Sequence, residues 1–248
     1  GSIDKELQWN LALREAAATL LSKTILQRQT NNPEDFSALS LLVKFEPITP
    51  DFFEPLLGRA LDLLKNEKSI YTTCGKWVLP AQVLLPDELI PYDLIPNDRF
   101  FQIVNTFCVS QAMSGQRVVL HKLGVGKFDI NKLLDCLSKP WVQKMPVEWF
   151  GRLYQFIGAT KGWSESQLNR IKKIQLIRLE GGAVVSGELG NVTKKESDLQ
   201  GFAFETNVPT FDSSTLAGLD GDSLKNAQMG IDLLGVHKDR ALALLKYI

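Results

Sequence analysis

The sequence predicts an α+β fold, mainly helical with small β-hairpins, built as two divergent copies of one helices–hairpin–LGV-turn–helix unit. Three observations point there. Apolar residues recur at helical spacing over the N-terminal third and again over residues 139–173. Two runs of aromatic and β-branched residues flank turn glycines, near residues 70–85 and 174–186. A Leu-Gly-Val turn followed by a Leu-rich stretch occurs twice, at residues 123–137 and 234–248.

From Glu6 to Arg28 the chain is rich in Leu and Ala, the strongest helix formers. Leu13, Ala17, Leu20, Leu21 and Thr24 fall at i, i+3, i+4 spacing, which predicts a buried stripe. Asn32-Pro33-Glu34-Asp35 supplies a break and a new start, because Asn can cap, Pro suits the first turn and acids favour the positive helix end. Phe36, Leu39, Leu42 and Val43 form the next apolar face, and Thr49-Pro50-Asp51 opens a third helix. Ile70 to Thr73 and Lys76 to Leu79 then flank Cys74-Gly75 as a hairpin, with Ala81 to Leu85 following. Pro80 belongs at an edge or bulge, since it cannot donate to a ladder. Pro86, Pro91 and Pro96 predict an extended surface connection over residues 86–98.

Further on, Asp129 is placed to cap a short helix carrying Ile130, Leu133, Leu134 and Leu137. Trp141, Trp149, Phe150, Leu153, Tyr154 and Phe156 give the helical stretch 139–173 its bulk. Ile174 to Leu179 and Ala183 to Ser186 flank Gly181-Gly182, a pair suited to a tight primed turn. The stretch after this hairpin reads as a loop until Leu234-Gly235-Val236 and a closing short helix.

Aligned without gaps, residues 123–137 (LGVGKFDINKLLDCL) and 234–248 (LGVHKDRALALLKYI) share six identities in 15 positions. The hairpins keep the same order, with Gly75 and Gly182 each preceding Gly124 and Gly235 at similar distance. The expected units are residues 1–138 and 139–248, the second truncated near its end. Gly75, Gly124, Gly182 and Gly235 are their structural turns. Internal repeats more often build scaffolds and extended surfaces than single active sites.

Trp9 opening a helical segment, the hairpin Gly75-Lys76-Trp77-Val78-Leu79-Pro80, Leu123-Gly124-Val125 and the Gly181-Gly182 hairpin together resemble the repeated segments of the sacsin and NO VEIN type of giant protein. Such proteins carry a GHKL-type ATPase domain near their start. The resemblance implies a chaperone-like or scaffolding assembly of which this chain is a part outside the ATPase. It also implies partners among proteins and other domains of the parent.

The 248 residues, 44% hydrophobic, can bury a sizeable core. No apolar run approaches the roughly 20 residues that span a bilayer, so no membrane role is expected. Gly1-Ser2 reads as a scar of tag removal, and the chain as an interior piece of a larger protein. Three distant cysteines without a C-x-x-C pair fit a reducing compartment, cytoplasmic or nuclear.

No cofactor or catalytic set is expected. A GHKL pocket needs an Asp-x-Gly-x-Gly loop, and Asp220-Gly221-Asp222 lacks the second glycine and reads as a surface turn. Gly124-Val125-Gly126-Lys127 lacks the upstream glycine of a phosphate loop and has Phe128 where Ser or Thr would bind metal, so it reads as a packing turn before a helix. Two histidines, His121 and His237, without close ligand pairs predict no metal site. Cys136 lies on the apolar side of a helix, where packing explains it. One feature favours an anionic partner: residues 111–180 hold 12 Lys and Arg against 5 Asp and Glu. Lys161, Arg170, Lys172, Lys173 and Arg178 bracket the second hairpin with Trp163 nearby, which makes nucleic-acid binding the alternative to a non-catalytic structural role.

Overall fold

A computed structural model describes residues 8–32, 36–44, 50–189, 192 and 209–236. The fold is α+β and mainly helical, with sheets of two or three strands. It divides into two compact units, one of Gly1–Asp87 with Ile95–Phe128 and one of Glu88–Leu94 with Asp129–Ile248. The division falls at Phe128, ahead of the expected boundary at residue 138. The helix after Asp129 therefore belongs to the second unit, where its leucines pack.

In the first unit, helix α1 (Gln8–Asn31) packs on α3 (Pro50–Lys65), and α2 (Ser37–Lys44), between them in sequence, shares the same core. Ile25, Leu39, Leu42 and Leu64 are fully buried there. The expected stripe on α1 is turned the other way. Leu13 is 55% and Leu20 67% exposed, Ala17 and Thr24 are exposed, and Leu21 is half-buried. The buried face carries Asn10, Ala18, Ser22, Ile25 and Gln29. Both faces have helical period, so periodicity alone cannot tell which one the neighbouring helices cover. Residues 33–35 and 45–49, where two helix starts were expected, lie outside the described residues, although α3 does begin at Pro50.

Strands β1 (Ile70–Tyr71) and β2 (Trp77–Val78) form the first hairpin, pairing Ile70 with Val78 and Tyr71 with Trp77. Phe36, Tyr71 and Trp77 stack over it with centroids 5.1–6.3 Å apart. Pro80 sits in a 3-10 turn, Pro80–Gln82, and not on a strand. The chain then enters β3 (Val83–Pro86), crosses through α4 (Asn97–Val104) to β4 (Phe107–Cys108), and returns through α5 (Arg117–Lys122) to β5 (Gly126–Phe128). These strands make a parallel sheet in the order β4-β3-β5. That sheet was not expected, because strands of two to four residues show no measurable alternation and parallel partners lie far apart in sequence. Consequently residues 123–137 hold a strand between the turn and the helix. Nor is the connection over residues 86–98 merely superficial, since Ile90, Leu94 and Ile95 are buried.

The second unit contains α6 (Ile130–Leu137), a 3-10 turn Pro140–Lys144, α7 (Val147–Ala159), α8 (Glu165–Lys173), β6 (Gln175–Arg178), β7 (Val184–Ser186) and α9 (Gly221–Leu234). Asp129 caps α6 by accepting from Lys132 N at 2.9 Å. Ser164 and Gln167 form a reciprocal capping box on α8. Trp149, Phe150, Leu153, Tyr154 and Ile157 of α7 are all buried, and the Trp149 ring nitrogen donates to Leu94 O at 2.9 Å. Helix α9 lies where a loop was expected. Its glycines and polar residues resemble loop composition, yet a Cβ at Gly230 would overlap Tyr154 O, and one at Gly158 of α7 would overlap Asn226 O. The glycines serve close helix contact.

Candidate functional site

Each unit holds one copy of the same backbone arrangement. In the first hairpin Thr72 N donates to Lys76 O at 3.0 Å and Gly75 N to Thr72 O at 3.0 Å. In the second, Leu179 N donates to Ala183 O at 2.8 Å and Gly182 N to Leu179 O at 2.9 Å. A later segment then bridges each hairpin antiparallel, through Thr72↔Val109 and Leu179↔Phe211. Thr73 N donates to Cys108 O at 3.0 Å and Ser110 N to Tyr71 O at 2.9 Å. Their counterparts are Glu180 N to Thr210 O and Asp212 N to Arg178 O, both 3.0 Å.

The likeness continues past the bridge. A 3-10 turn follows in each unit, Gln111–Gln116 and Ser213–Leu216, anchored by Met113 N to Ser110 O and Thr215 N to Asp212 O. Met113 and Thr215 are both buried. The helices α5 and α9 come next, and each ends on the Leu-Gly-Val sequence. Gly124 has φ +85° and Gly235 φ +96°. Val125 N donates to Leu120 O at 3.0 Å, and Val236 N to Ile231 O at 3.3 Å. Gly124 N reaches His121 O and Gly235 N reaches Asp232 O. This is the Schellman ending, with glycine in the left-handed region and the following residue packed back on the helix. Val125 and Val236 are correspondingly buried. Gly75 and Gly182 also take positive φ, +74° and +84°. The helix expected after the second turn, at residues 237–248, lies outside the described residues, as does His237.

The five basic residues do not form one face. Arg178 lies in β6, half-buried, with Nε 3.2 Å from Asp212 Oδ2 and its guanidinium 5.6 Å from the Phe150 ring centre. Arg170 on α8 is paired with Asp135 of α6, and Lys173 lies 3.7 Å from Glu188. Lys161 and Lys172 are exposed, and Trp163 is half-buried with its ring nitrogen donating to Ile157 O at 2.9 Å. A groove of about 410 Å³ opens between the end of α6 and α8, lined by Lys139, Arg170, Lys173, Gln143 and Gln175. Of its cations, Arg170 and Lys173 face the carboxylates just named.

All three cysteines are free, Cys74 exposed and Cys108 and Cys136 buried. Burial pushes the Cys108 thiol up to about 12 and the Cys136 thiol up to about 11. Both are held protonated, which opposes nucleophilic use. Burial also raises Tyr154, whose hydroxyl donates to Leu176 O at 3.0 Å and accepts from Arg178 N at 3.1 Å. Among the described residues no three His, Cys, Asp or Glu side chains are grouped to hold a metal. No described helix is long and apolar enough to cross a membrane.

Sequence reasoning missed Tyr154, which ties the second hairpin to α7, and Asp212, which ties it to the turn Ser213–Leu216, because their partners on β6 are brought close only by folding. It also missed the outward face of α1, where three of the nine large exposed hydrophobics among the described residues lie: Trp9, Leu13 and Leu20. Comparison with protein-family models, curated proteins and solved structures finds no match to this chain.

Proposed function

We propose that this chain is a non-catalytic structural and protein-interaction segment of a large chaperone-like or scaffolding protein of the sacsin and NO VEIN type. The observation that carries this reading is the duplicated module, in which two hairpins, two bridges and two Leu-Gly-Val helix ends share one hydrogen-bond pattern. Duplicated modules of this kind extend a surface instead of converging side chains on a reacting atom. The chemistry of the described residues supports it: two buried protonated thiols, Arg170, Lys173 and Arg178 set against carboxylates, and positive-φ glycines used for turns. Its partners are proteins and other domains of the parent chain, and its free cysteines suit a reducing intracellular compartment, cytoplasmic or nuclear.

The test is calorimetric titration with ATP and magnesium. The chain is expected to give no binding heat and no thermal shift, because it lacks both the Asp-x-Gly-x-Gly and the phosphate-loop elements. Micromolar affinity, or hydrolysis above a buffer control, would show the reading to be wrong.

A further inference from the structure

Asp220-Gly221 is the one pair in the 248 residues where an Asp or Asn precedes glycine, and no role described above uses it. It stands at the head of α9, with Asp220 as the cap residue and Gly221 as the first residue of the helix. Both are exposed. The aspartates that cap α6 and the turn Ser213–Leu216 have occupied carboxylates: Asp129 accepts from Lys132 N, and Asp212 accepts from Ser214 N and pairs with Arg178. The Asp220 side chain makes no such cap bond. Gly221 has φ +45° and nothing within 4 Å of the place where a Cβ would stand. Its N–H lies ahead of the first intrahelical bond, from Leu224 N to Asp220 O at 3.1 Å, so no carbonyl of the helix holds it.

We infer that Asp220 is a site of spontaneous isomerisation to isoaspartate. The Gly221 nitrogen attacks Cγ of the Asp220 carboxyl; an N–Cγ bond forms, a Cγ–O bond breaks, and the hydroxyl leaves with the amide proton as water. Water then opens the resulting succinimide at one of its two carbonyls. Opening at Cγ restores aspartate, and opening at the α-carbonyl leaves Gly221 joined through Cγ. The atoms balance over the two steps, with one water released and one taken up. The ring closes only when the peptide rotates from the extended ψ of 164° until its nitrogen faces Cγ. A glycine without neighbours permits that rotation, whereas Ile130 after Asp129 carries a branched Cβ that obstructs it. In the isoaspartyl chain the carbonyl that accepts from Leu224 becomes a free carboxylate, and the backbone entering α9 is one methylene longer. This site does not depend on the scaffold reading, which the ATP titration tests separately.

The test is ageing of the full chain in mildly acidic buffer at body temperature, followed by labelling with an isoaspartate-specific protein methyltransferase and radioactive S-adenosylmethionine. Trypsin then releases residues 196–225 as one peptide containing Asp220. Label is expected to accumulate in that peptide, which should also split into two chromatographic peaks of equal mass. Fragmentation should place the altered bond between residues 220 and 221. Asp220→Ser keeps a capping residue but has no carboxyl to close the ring, so its label should fall to that of fresh protein. Asp220→Asn expels ammonia, a better leaving group, and should label several-fold faster. Far-UV circular dichroism checks that both variants stay folded, as expected at an exposed cap, and the wild-type peptide map stands without them. Aged wild type no more labelled than fresh protein, an altered bond at another aspartate of the peptide instead, or unchanged labelling of Asp220→Ser would each overturn the proposal.

Discussion

Tyr154 shows how much one buried polar group can organise. Its hydroxyl joins Leu176 O to Arg178 N and so fixes β6 to α7 beneath the Arg178–Asp212 pair. Tyr154→Phe keeps the ring but strands the Arg178 amide, a loss of about 1–3 kcal/mol in urea unfolding. The cysteines give a pH prediction. The folded Cys108 thiol is raised above the ordinary value of 9.0 to about 12, so its stabilisation is complete below pH 9 and is lost as pH rises towards 12. The melting midpoint should fall between those pH values, and Cys108→Ala should flatten the fall. At pH 8, an aromatic disulfide reagent should label Cys74 rapidly and the two buried thiols only on unfolding. Sequence placed Cys136 correctly on an apolar helix side, since its neighbours Leu133 and Leu137 are local. Nothing local to Tyr154 indicates a hydroxyl with two partners more than twenty residues away.

At the scale of elements, the caps and turns were the legible features. Asp129 before an apolar run and glycine after Leu123 act through bonds three to five residues long, which a sequence displays directly. Gly124→Ala forces a side chain into the left-handed region and should cost about 1–2 kcal/mol by chemical denaturation. Gly158→Ala should cost more than Gly124→Ala. Its Cβ overlaps backbone of α9, which must shift as a body, whereas nothing lies near a Cβ at Gly124. Helix α9 was illegible for the same reason. Glycine at a close helix crossing and glycine in a loop look alike until the second helix is seen. The orientation of α1 failed differently, because both its faces carry helical period and only the packing on α3 selects one.

For the whole molecule, net charge is zero while residues 111–180 are basic, and folding sets Arg152, Lys173 and Arg178 of that stretch against Asp93, Glu188 and Asp212 from outside it. Binding to nucleic acid should then stay within the non-specific range of about 10⁻⁴–10⁻⁶ M at physiological salt and fall steeply as salt rises. Fluorescence anisotropy with single- and double-stranded oligonucleotides measures this. Tighter binding that Lys172→Glu with Lys173→Glu abolishes would favour the nucleic-acid alternative over the scaffold reading.

By itself the sequence determined the helical character of the N-terminal third and of residues 139–173, both hairpins, the Asp129 cap and the pairing of Leu-Gly-Val with a preceding hairpin in each half. All of these arise from hydrogen bonds and φ preferences within a few residues. Tertiary structure alone decided the parallel β4-β3-β5 sheet, the unit boundary at Phe128, the pairing of the basic residues with distant carboxylates, and the outward turn of α1. Each of these depends on which surfaces meet, and that choice is made by burying the whole core at once instead of by any one segment's preference.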